Sequence, residues 1–300
     1  MEQKEAEKYI KAGKILSEVK ENAQKHIKLG QKLLDIASKI EAEIADIGGK
    51  PAFPVNLSLN NNAAHYTPSI EDLTAISEND VLKVDIGVHV DGYIADCAFT
   101  LDFTGKYGKL VEAAEKALEK AVSMAKPGIE LRAIGSEIEK TISAYGFKPI
   151  SNLSGHGLGQ YTQHAEPSIP NTASNDARKL EDETAFAIEP FASTGSGIVR
   201  EAVQTEIFAL EEERPVRNAH ARRLLEFIAE EYETLPFAER WIAKNKKLKF
   251  GEFERKVALR ELMQNGIIRA FPILHDEKNS FVAQAEGSLL LHDGKITRLV

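Results

Sequence analysis

The sequence contains a single cysteine, Cys97, among its 300 residues. One cysteine cannot form an internal disulfide, a cysteine-based zinc site or a thioredoxin-type motif, and such a sequence is typical of a reducing compartment. The chain has no apolar run near the roughly 18 residues that a membrane span requires, and its first residues lack a basic segment followed by an apolar one. We therefore expect a cytoplasmic protein that is neither secreted nor inserted in a membrane.

The chain has fewer basic than acidic residues, with 38 lysines and arginines against 46 aspartates and glutamates, and its formal net charge is -8. This imbalance repels phosphate backbones, so no nucleic-acid partner is expected. Clustered carboxylates are, in contrast, what hard divalent cations require. Hydrophobic residues make up 43% of the chain, which is enough for one large core in a mixed domain.

Helical spacing of apolar residues dominates two blocks of the sequence, at 10–47 and at about 110–144. Each block is predicted to form two helices, the first pair broken near Gly30 and the second at Pro127-Gly128. Both blocks lead into strand-like runs, at 81–101 and at 185–210.

The two blocks form a weak internal repeat with an offset of about one hundred residues. Two such units facing each other would create a site at their junction, where ligand pockets commonly form. The matching features are Lys50-Pro51 with Lys148-Pro149, Asn56-Leu57-Ser58 with Asn152-Leu153-Ser154, and His65 with His164.

A charged helical segment follows at 211–269, with helices predicted at 217–231, 238–244 and 251–264. We expect it to be an inserted helical subdomain within a single domain spanning 1–300, because strand character returns at 267–274 and 280–291. The basic stretch 244–249 leaves a helix-turn-helix-like binding module as an alternative, but the acidic remainder of the chain favours a solvated surface.

The clearest local pattern is a pair of apolar runs joined at Asp91-Gly92, which is typical of an antiparallel hairpin. In a hairpin with an even-numbered loop, opposed residues have numbers with an odd sum, as 85 and 96 do. Asp85 and Asp96 should therefore share one face at a Cα separation of about 4.5–8 Å, where they repel each other unless a cation lies between them. Exposed strand positions are the alternative, and Cys97 should be a buried hydrophobe on the other face.

Further candidate ligands lie outside the hairpin. His156 has glycine on both sides, which permits close approach of the backbone to a metal, and His164 follows eight residues later. Glu189 ends the apolar run 184–188, and Glu286 interrupts another apolar run. A carboxylate within a buried strand is costly unless it is paired or bound to metal, so a salt bridge or an edge position is the alternative for each.

Together these residues favour two metal ions over one, because four carboxylates and a neutral imidazole carry four negative charges, which two divalent ions would cancel. Oxygen-rich ligation with one nitrogen and no sulfur suits manganese, iron(II), cobalt or zinc, and the sequence does not distinguish among them. The predicted ligands are Asp85, Asp96, His156, Glu189 and Glu286.

Six motifs in this sequence resemble those of type 2 methionine aminopeptidases. The resemblance extends over nearly the whole chain and includes the helical insertion before the last ligand strand, which distinguishes type 2 from type 1 members. The short N-terminus resembles that of archaeal members. The motifs are PAFP at 51–54, NAAHYTP at 62–68, VDIG at 84–87, DCAFT at 96–100, GHGLGQY at 155–161 and AIEPFASTG at 187–195.

This resemblance implies an α/β pita-bread fold with pseudo-twofold symmetry, and it implies a role for each ligand. Asp85 would be the bidentate ligand of one metal, and Asp96 and Glu286 would bridge the two metals. His156 and Glu189 would be ligands of the other metal. One departure lies beside the last ligand, where the family commonly has histidine and threonine and this chain has glycine and serine.

The resemblance also implies a substrate site and a reaction. Phe53 and Phe271 would line the pocket for the methionine side chain, and His65 and His164 would contact the substrate without binding metal. A metal-activated water would attack the first peptide bond while Glu189 moves the proton. His164 would stabilise the oxyanion, and His65 would hydrogen-bond the scissile amide nitrogen. A small second residue would be preferred.

Two alternatives share this fold. Xaa-Pro aminopeptidases and dipeptidases resemble it in fold and metal set, but the NAAHYTP motif and the insertion favour methionine removal. Non-catalytic pita-bread binding proteins lose metal ligands, whereas all five are present here. From the family role we expect a monomer whose partners are the N-terminal methionines of nascent polypeptides, with transient ribosome association.

Overall fold

Two pairs of helices lie about one hundred residues apart in the computed structural model, which describes residues 1–300. The predicted breaks are confirmed, because Gly30 and Gly128 have φ angles of 83° and 81°, which a right-handed helix cannot contain. The four helices are α1 (Gln3–His26), α2 (Leu33–Asp46), α3 (Gly108–Met124) and α4 (Leu131–Ala144).

Sixteen strands form the rest of the framework. They are β1 (Lys50–Pro51), β2 (Asn56–Leu59), β3 (Asn62–Ala64), β4 (Val81–Val90), β5 (Tyr93–Asp102), β6 (Lys148–Pro149), β7 (Ser154–Gly159), β8 (Thr162–Pro170), β9 (Thr184–Ile188), β10 (Phe191–Ser193), β11 (Arg200–Leu210), β12 (Phe237–Ala238), β13 (Ile268–His275), β14 (Val282–Gln284), β15 (Glu286–His292) and β16 (Lys295–Arg298).

The largest sheet joins the two halves of the chain. Its order is β1-β4-β5-β15-β9-β7-β8, with β2 paired to β4 and β16 paired to β15. β14, β10 and β6 form a second sheet, and β12, β11, β13 and β3 form a third. Strand β15 therefore lies between β5 of the first half and β9 of the second.

The predicted repeat is visible in the order of the elements. Each helix pair is followed by a two-residue Lys-Pro strand, β1 or β6, and then by antiparallel strands. One buried apolar cluster joins α1 and α2 to the first half of the sheet, and another joins α3 and α4 to the second half. The expected mixed α/β fold with two related halves is confirmed.

The predicted hairpin is confirmed as β4 and β5. Asp85 lies opposite Ala98 and Asp96 lies opposite Gly87, so the two aspartates are diagonal neighbours on one face. Cys97 lies on the other face and is fully buried within the first apolar cluster, as predicted. The hairpin therefore separates a dry core from a polar face.

Three helices lie between β11 and β13. They are α5 (Ala219–Glu231), α6 (Glu239–Lys244) and α7 (Glu252–Gln264), which end where the sequence predicts. Helix α5 starts two residues late because the Asn218 side chain accepts hydrogen bonds from the backbone N–H groups of His220 and Ala221 and so acts as its N-cap. None of the seven helices is both long enough and apolar enough to cross a membrane.

The helical segment has its own apolar cluster, and it contacts the first half of the chain through a buried arginine. The Arg240 side chain is 1% exposed and forms an ion pair with Glu41 of α2. It also donates hydrogen bonds to Thr67 Oγ1 at 2.6 Å and to the Pro68 carbonyl oxygen at 3.2 Å. This contact fixes the segment beside the loop that follows β3.

Candidate metal centre and substrate pocket

A cavity of about 370 Å³ lies over the polar face of the hairpin. Side chains from both halves of the chain line it, as the predicted repeat requires. All nine residues that the sequence singles out as ligands or substrate contacts lie on its wall: Phe53, His65, Asp85, Asp96, His156, His164, Glu189, Phe271 and Glu286.

The His156 imidazole is the point on which three carboxylates converge. Its Nε2 atom lies 3.8 Å from Asp96 Oδ2, 3.7 Å from Glu189 Oε1 and 3.9 Å from Glu286 Oε1. These distances are too long for hydrogen bonds. Ligands held at about 2.1 Å by one ion lie about 3–3.5 Å apart, so small side-chain movements would close this set around a cation.

Asp85 lies at the other end of the carboxylate cluster. Its Oδ2 atom accepts a hydrogen bond from Asn56 Nδ2 at 3.2 Å, since Asn56 lies directly opposite it on β2. Gln284 Nε2 donates similarly to Glu286 Oε2 at 3.3 Å. The Oδ1 atoms of Asp85 and Asp96 are buried without any hydrogen-bond partner. A buried carboxylate oxygen without a partner is costly, and a bound cation would satisfy both.

Electrostatics in the cluster also favour a cation. Burial raises the pKa of Asp85 to about 7. Burial, followed by repulsion from neighbouring carboxylates, raises the pKa values of Asp96, Glu189 and Glu286 well above their ordinary range. No lysine or arginine forms an ion pair with any of the four. The donor set therefore fits divalent metal ions, which would supply the missing positive charge.

The histidines of the cavity are neutral at pH 7. Burial lowers the pKa values of His65 and His156 to about 4. His164 is accessible from the cavity, but the surrounding walls still desolvate its ring, and this desolvation and the neighbouring histidines lower its pKa well below the ordinary value. A neutral imidazole can bind metal through a free ring nitrogen or donate a hydrogen bond to a substrate.

His65 is held in an uncommon backbone conformation, with a φ of 65°. Its Nδ1 atom lies 3.2 Å from the Pro272 carbonyl oxygen. Because a carbonyl oxygen can only accept, Nδ1 carries the hydrogen and donates a hydrogen bond to it. Nε2 is then left as the nitrogen available to a substrate. The strained backbone and this hydrogen bond together fix the direction of the ring.

Aromatic side chains form a further part of the cavity wall. Phe271 contacts two of the cavity histidines, with ring centroids 5.7 Å from His65 and 6.1 Å from His164. Phe53 is 2% exposed and packs against Gly87, where a Cβ atom would lie only 2.2 Å from the Phe53 ring. The glycine of the VDIG motif is thus required for the ring to lie beside the hairpin.

Similarity to known proteins agrees with this geometry. The family model described as metallopeptidase family M24 matches residues 7–214. The chain belongs to this family. The M24 match ends at the start of the helical segment, and a metallopeptidase family accords with a carboxylate and histidine cluster suited to divalent metal.

Relatives within the M24 family narrow the comparison. The methionine aminopeptidase of Pyrococcus horikoshii is 46% identical over 98% of this chain and 98% of its own length. A solved methionine aminopeptidase from Thermotoga maritima superposes with a TM-score of 0.69 at 23% identity, covering 100% of this chain and 97% of that one. A prolidase from Pyrococcus furiosus has a TM-score of 0.64 at 18% identity, covering 99% and 64%. The two solved structures share the fold, and the resemblance to methionine aminopeptidases is confirmed by the first relative.

Proposed function

We propose that this protein is a methionine aminopeptidase that removes the N-terminal methionine from peptides and nascent polypeptides. The observation that carries the proposal is the convergence of buried carboxylates on His156 without a basic side chain to neutralise them. The relative at 46% identity supports methionine as the residue removed.

Two divalent metal ions are part of the proposal. Asp85, Asp96, His156, Glu189 and Glu286 would hold them, with Asp96 and Glu286 between the two. The buried Oδ1 atoms of Asp85 and Asp96, which lack partners on adjacent strands, support binding of cations by this aspartate pair. When bound, such ions supply a nucleophilic water at neutral pH and polarise the substrate carbonyl. Cobalt, manganese, iron(II) and zinc all suit this donor set.

Three side chains act on the substrate in this proposal. Glu189 moves the proton, because its side chain is 15% exposed to the cavity whereas Asp96 and Glu286 are each 2% exposed. His164, exposed in the cavity, stabilises the developing oxyanion. His65 Nε2 faces the scissile amide, since Nδ1 is engaged by the backbone.

The aromatic part of the cavity wall sets the specificity in this proposal. Phe53 and Phe271 line the cavity and are 2% and 8% exposed, so a substrate side chain beside them would be shielded from bulk water. A methionine thioether suits such a wall, because it is apolar and flexible. We also propose a preference for a small second residue, because His65 and His164 would lie over the scissile bond and limit the space beside it.

Removal of Xaa from Xaa-Pro peptides is the alternative function. The prolidase likeness concerns the fold alone, and the 46% identity favours methionine removal. Rates on Met-Ala-Gly and Ala-Pro-Gly peptides separate the two functions, and a higher kcat/KM for the second peptide would refute our proposal.

The remaining parts of the proposal concern the context of the enzyme. We propose that 211–269 is an inserted subdomain, which its separate apolar cluster supports. A cytoplasmic monomer with transient ribosome association suits an enzyme acting on emerging chains. Sedimentation of the purified protein, alone and with ribosomes, tests the last two points.

The metal assignment is tested with Asp96→Asn, which removes one negative charge from the proposed bridge. Metal content by elemental analysis and turnover of Met-Ala-Gly should fall together. Asp91→Asn is a matched control on the same hairpin, because Asp91 lies at the turn with its side chain 69% exposed. An Asp96→Asn protein with two ions per chain and a normal rate would exclude Asp96 as a bridging ligand.

A further inference from the structure

A polypeptide substrate is longer than the cavity, so the chain beyond the cleaved bond must leave through an opening. The exposed fractions of four acidic side chains show where this opening lies. Asp96 and Glu286 are 2% exposed, Glu189 is 15% exposed, and Glu166 is 76% exposed, although all four line the same cavity. Glu166 therefore lies at the mouth, and the carboxylate cluster lies on the floor.

A second opening adjoins the first cavity at His164. Thr162, His164 and Glu166 are all exposed along β8, whose register with β7 shifts in this region. Beyond His164 lies a cavity of about 240 Å³ that Thr162 and Arg269 border. The two cavities share as walls Gln163, His164, Pro236 and Phe271. Arg269 borders only the second cavity, whereas Glu166 borders only the cavity that holds the carboxylate cluster.

The charge at the mouth is negative despite a nearby arginine. Arg178 Nη1 donates to Glu166 Oε2 at 2.8 Å, while Arg178 Nη2 donates to Asp176 Oδ2 at 2.7 Å. Two carboxylates thus share one guanidinium, which leaves one net negative charge. The hydrogen bonds from Arg178 Nη1 and from the Ser168 backbone N–H both go to Oε2, which leaves Glu166 Oε1 without a hydrogen-bond partner in the protein, on a side chain that is 76% exposed and borders the cavity.

We propose that Glu166 is a specificity-determining residue that favours substrates with a lysine or arginine shortly after the second residue. The inference rests on the proposed function, since it concerns the part of the polypeptide that follows the cleaved methionine. A cationic side chain leaving by the mouth passes the free oxygen of Glu166 and forms an ion pair there. An acidic side chain at the same place is repelled.

The expected change in kcat/KM is small, and it should have a defined dependence on KM and on salt. Exposed ion pairs are weak, so kcat/KM should change by about 2- to 5-fold. Because the contact is remote from the reacting bond and is equally strong before and during the reaction, the change should lie in KM and leave the ratio of kcat values near one. Added salt should reduce it through screening.

The experiment compares amidated Met-Ala-Gly-Gly-Gly peptides in which residue three, four or five is lysine, acetyl-lysine or glutamate. Acetyl-lysine keeps the side-chain length and removes the charge. At one or more positions the wild-type protein should favour lysine over acetyl-lysine, and Glu166→Gln should bring this ratio toward one. Arg178→Gln should raise the ratio, because it removes the positive charge that is paired with Glu166.

Glu21→Gln is the matched control, since Glu21 is 68% exposed, is paired with Lys25 and lies on α1 away from the cavity. Equal rates for lysine and acetyl-lysine at all three positions would overturn the inference, as would a lysine preference that Glu166→Gln leaves intact. A preference for glutamate that Arg269→Gln abolishes would also overturn it, because the chain would then leave by the second opening. Failure to cleave any of these peptides would instead refute the proposed function.

Discussion

Ser288 Oγ accepts a hydrogen bond from the Asp96 backbone N–H at 3.0 Å, and this bond joins the strand that carries one candidate ligand to the strand that carries another. The paired residues between β15 and β5 are limited to Glu286 with Ala98 and Gly287 with Cys97. The Ser288 hydroxyl extends this short contact to Asp96 itself. Serine in place of the family threonine thus retains the hydroxyl group.

Gly287, the residue before Ser288, is explained by a different contact. A Cβ atom at Gly287 would lie 3.0 Å from the Val300 carbonyl oxygen and 3.9 Å from Leu118 Cδ2. A larger residue there would require the Val300 carbonyl to shift by a few tenths of an ångström. Glycine at 287 is thus accommodated by close packing against Val300, while the hydroxyl toward Asp96 is present in Ser288.

Replacing Ser288 by alanine should lower both stability and metal affinity. Ser288 is fully buried, so its removal leaves the Asp96 N–H without this acceptor, at a cost of about 1–3 kcal/mol in the free energy of unfolding. Urea denaturation and metal titration measure the two effects. Ser288→Thr is the matched control because it keeps the hydroxyl. An alanine variant as stable as the wild type would show that the bond contributes nothing.

The placement of Asp85 and Asp96 could be predicted from sequence because a tight hairpin fixes its own register. The two-residue turn at Asp91-Gly92 sets the pairing of every residue in β4 and β5, and the parity of the residue numbers follows. The breaks of the helix pairs are also local, since glycine and proline act within one turn. These features needed no knowledge of distant contacts.

Asn56 and Gln284 were missed because their roles depend on contacts that are distant in sequence or on an irregular strand. Asn56 meets Asp85 only because β2 pairs with β4 in one particular register. The sequence predicts one strand over 280–291, whereas the structure divides it at Ala285, whose N–H donates to the Pro190 carbonyl. The Gln284 side chain nevertheless lies beside Glu286, two residues further on, and donates to it.

Removing the metal should make stability depend on pH. The folded-state pKa of Asp85, about 7, lies above its ordinary value of 3.8. A group raised in this way contributes stability that is present below about pH 4 and is lost as the pH rises through about 7. Metal binding has the opposite dependence, because protons compete for the carboxylates and are released on binding.

The Tm of the metal-loaded protein should therefore exceed that of the chelator-treated protein by a margin that grows from pH 5.5 to pH 8.5. Thermal unfolding monitored by circular dichroism at several pH values measures this margin. Asp85→Asn should flatten the pH dependence of the metal-free protein, since it removes one of the raised carboxyl groups. A margin that is constant or shrinks with rising pH would contradict the electrostatic interpretation of the cluster.

Replacing His164 by alanine should slow the reaction while sparing the metal. Its ring lies 4.6 Å from that of His156, edge to face, so the two histidines are neighbours. If His164 donates to the oxyanion, its loss should lower kcat by about 10²–10³ and change KM little. Metal content should stay at the wild-type value. Loss of metal in this variant would instead identify His164 as a ligand.

The aromatic part of the cavity wall should control which N-terminal residue is removed. Phe271 contacts His65 and His164, and Arg269 Cζ lies 4.6 Å from the centre of its ring. Phe271→Ala should enlarge the cavity beside these histidines. Because one methylene in an apolar pocket is worth only about 1–3 kcal/mol, the variant should lose kcat/KM for Met-Ala-Gly and narrow the gap to Leu- and Phe-initiated peptides.

Phe253→Ala is the control for this prediction, and Phe271→Leu is the check on folding. Phe253→Ala truncates a ring that is 79% exposed on α7 and should leave the ranking of the three peptides unchanged. Phe271 is 8% exposed, so its truncation also costs stability, and Phe271→Leu keeps more of the apolar volume. Metal content should be normal in all three variants, since none removes a ligand atom. If both Phe271 variants slow every peptide by the same factor, the ring supports the fold and the methionine side chain binds elsewhere in the cavity.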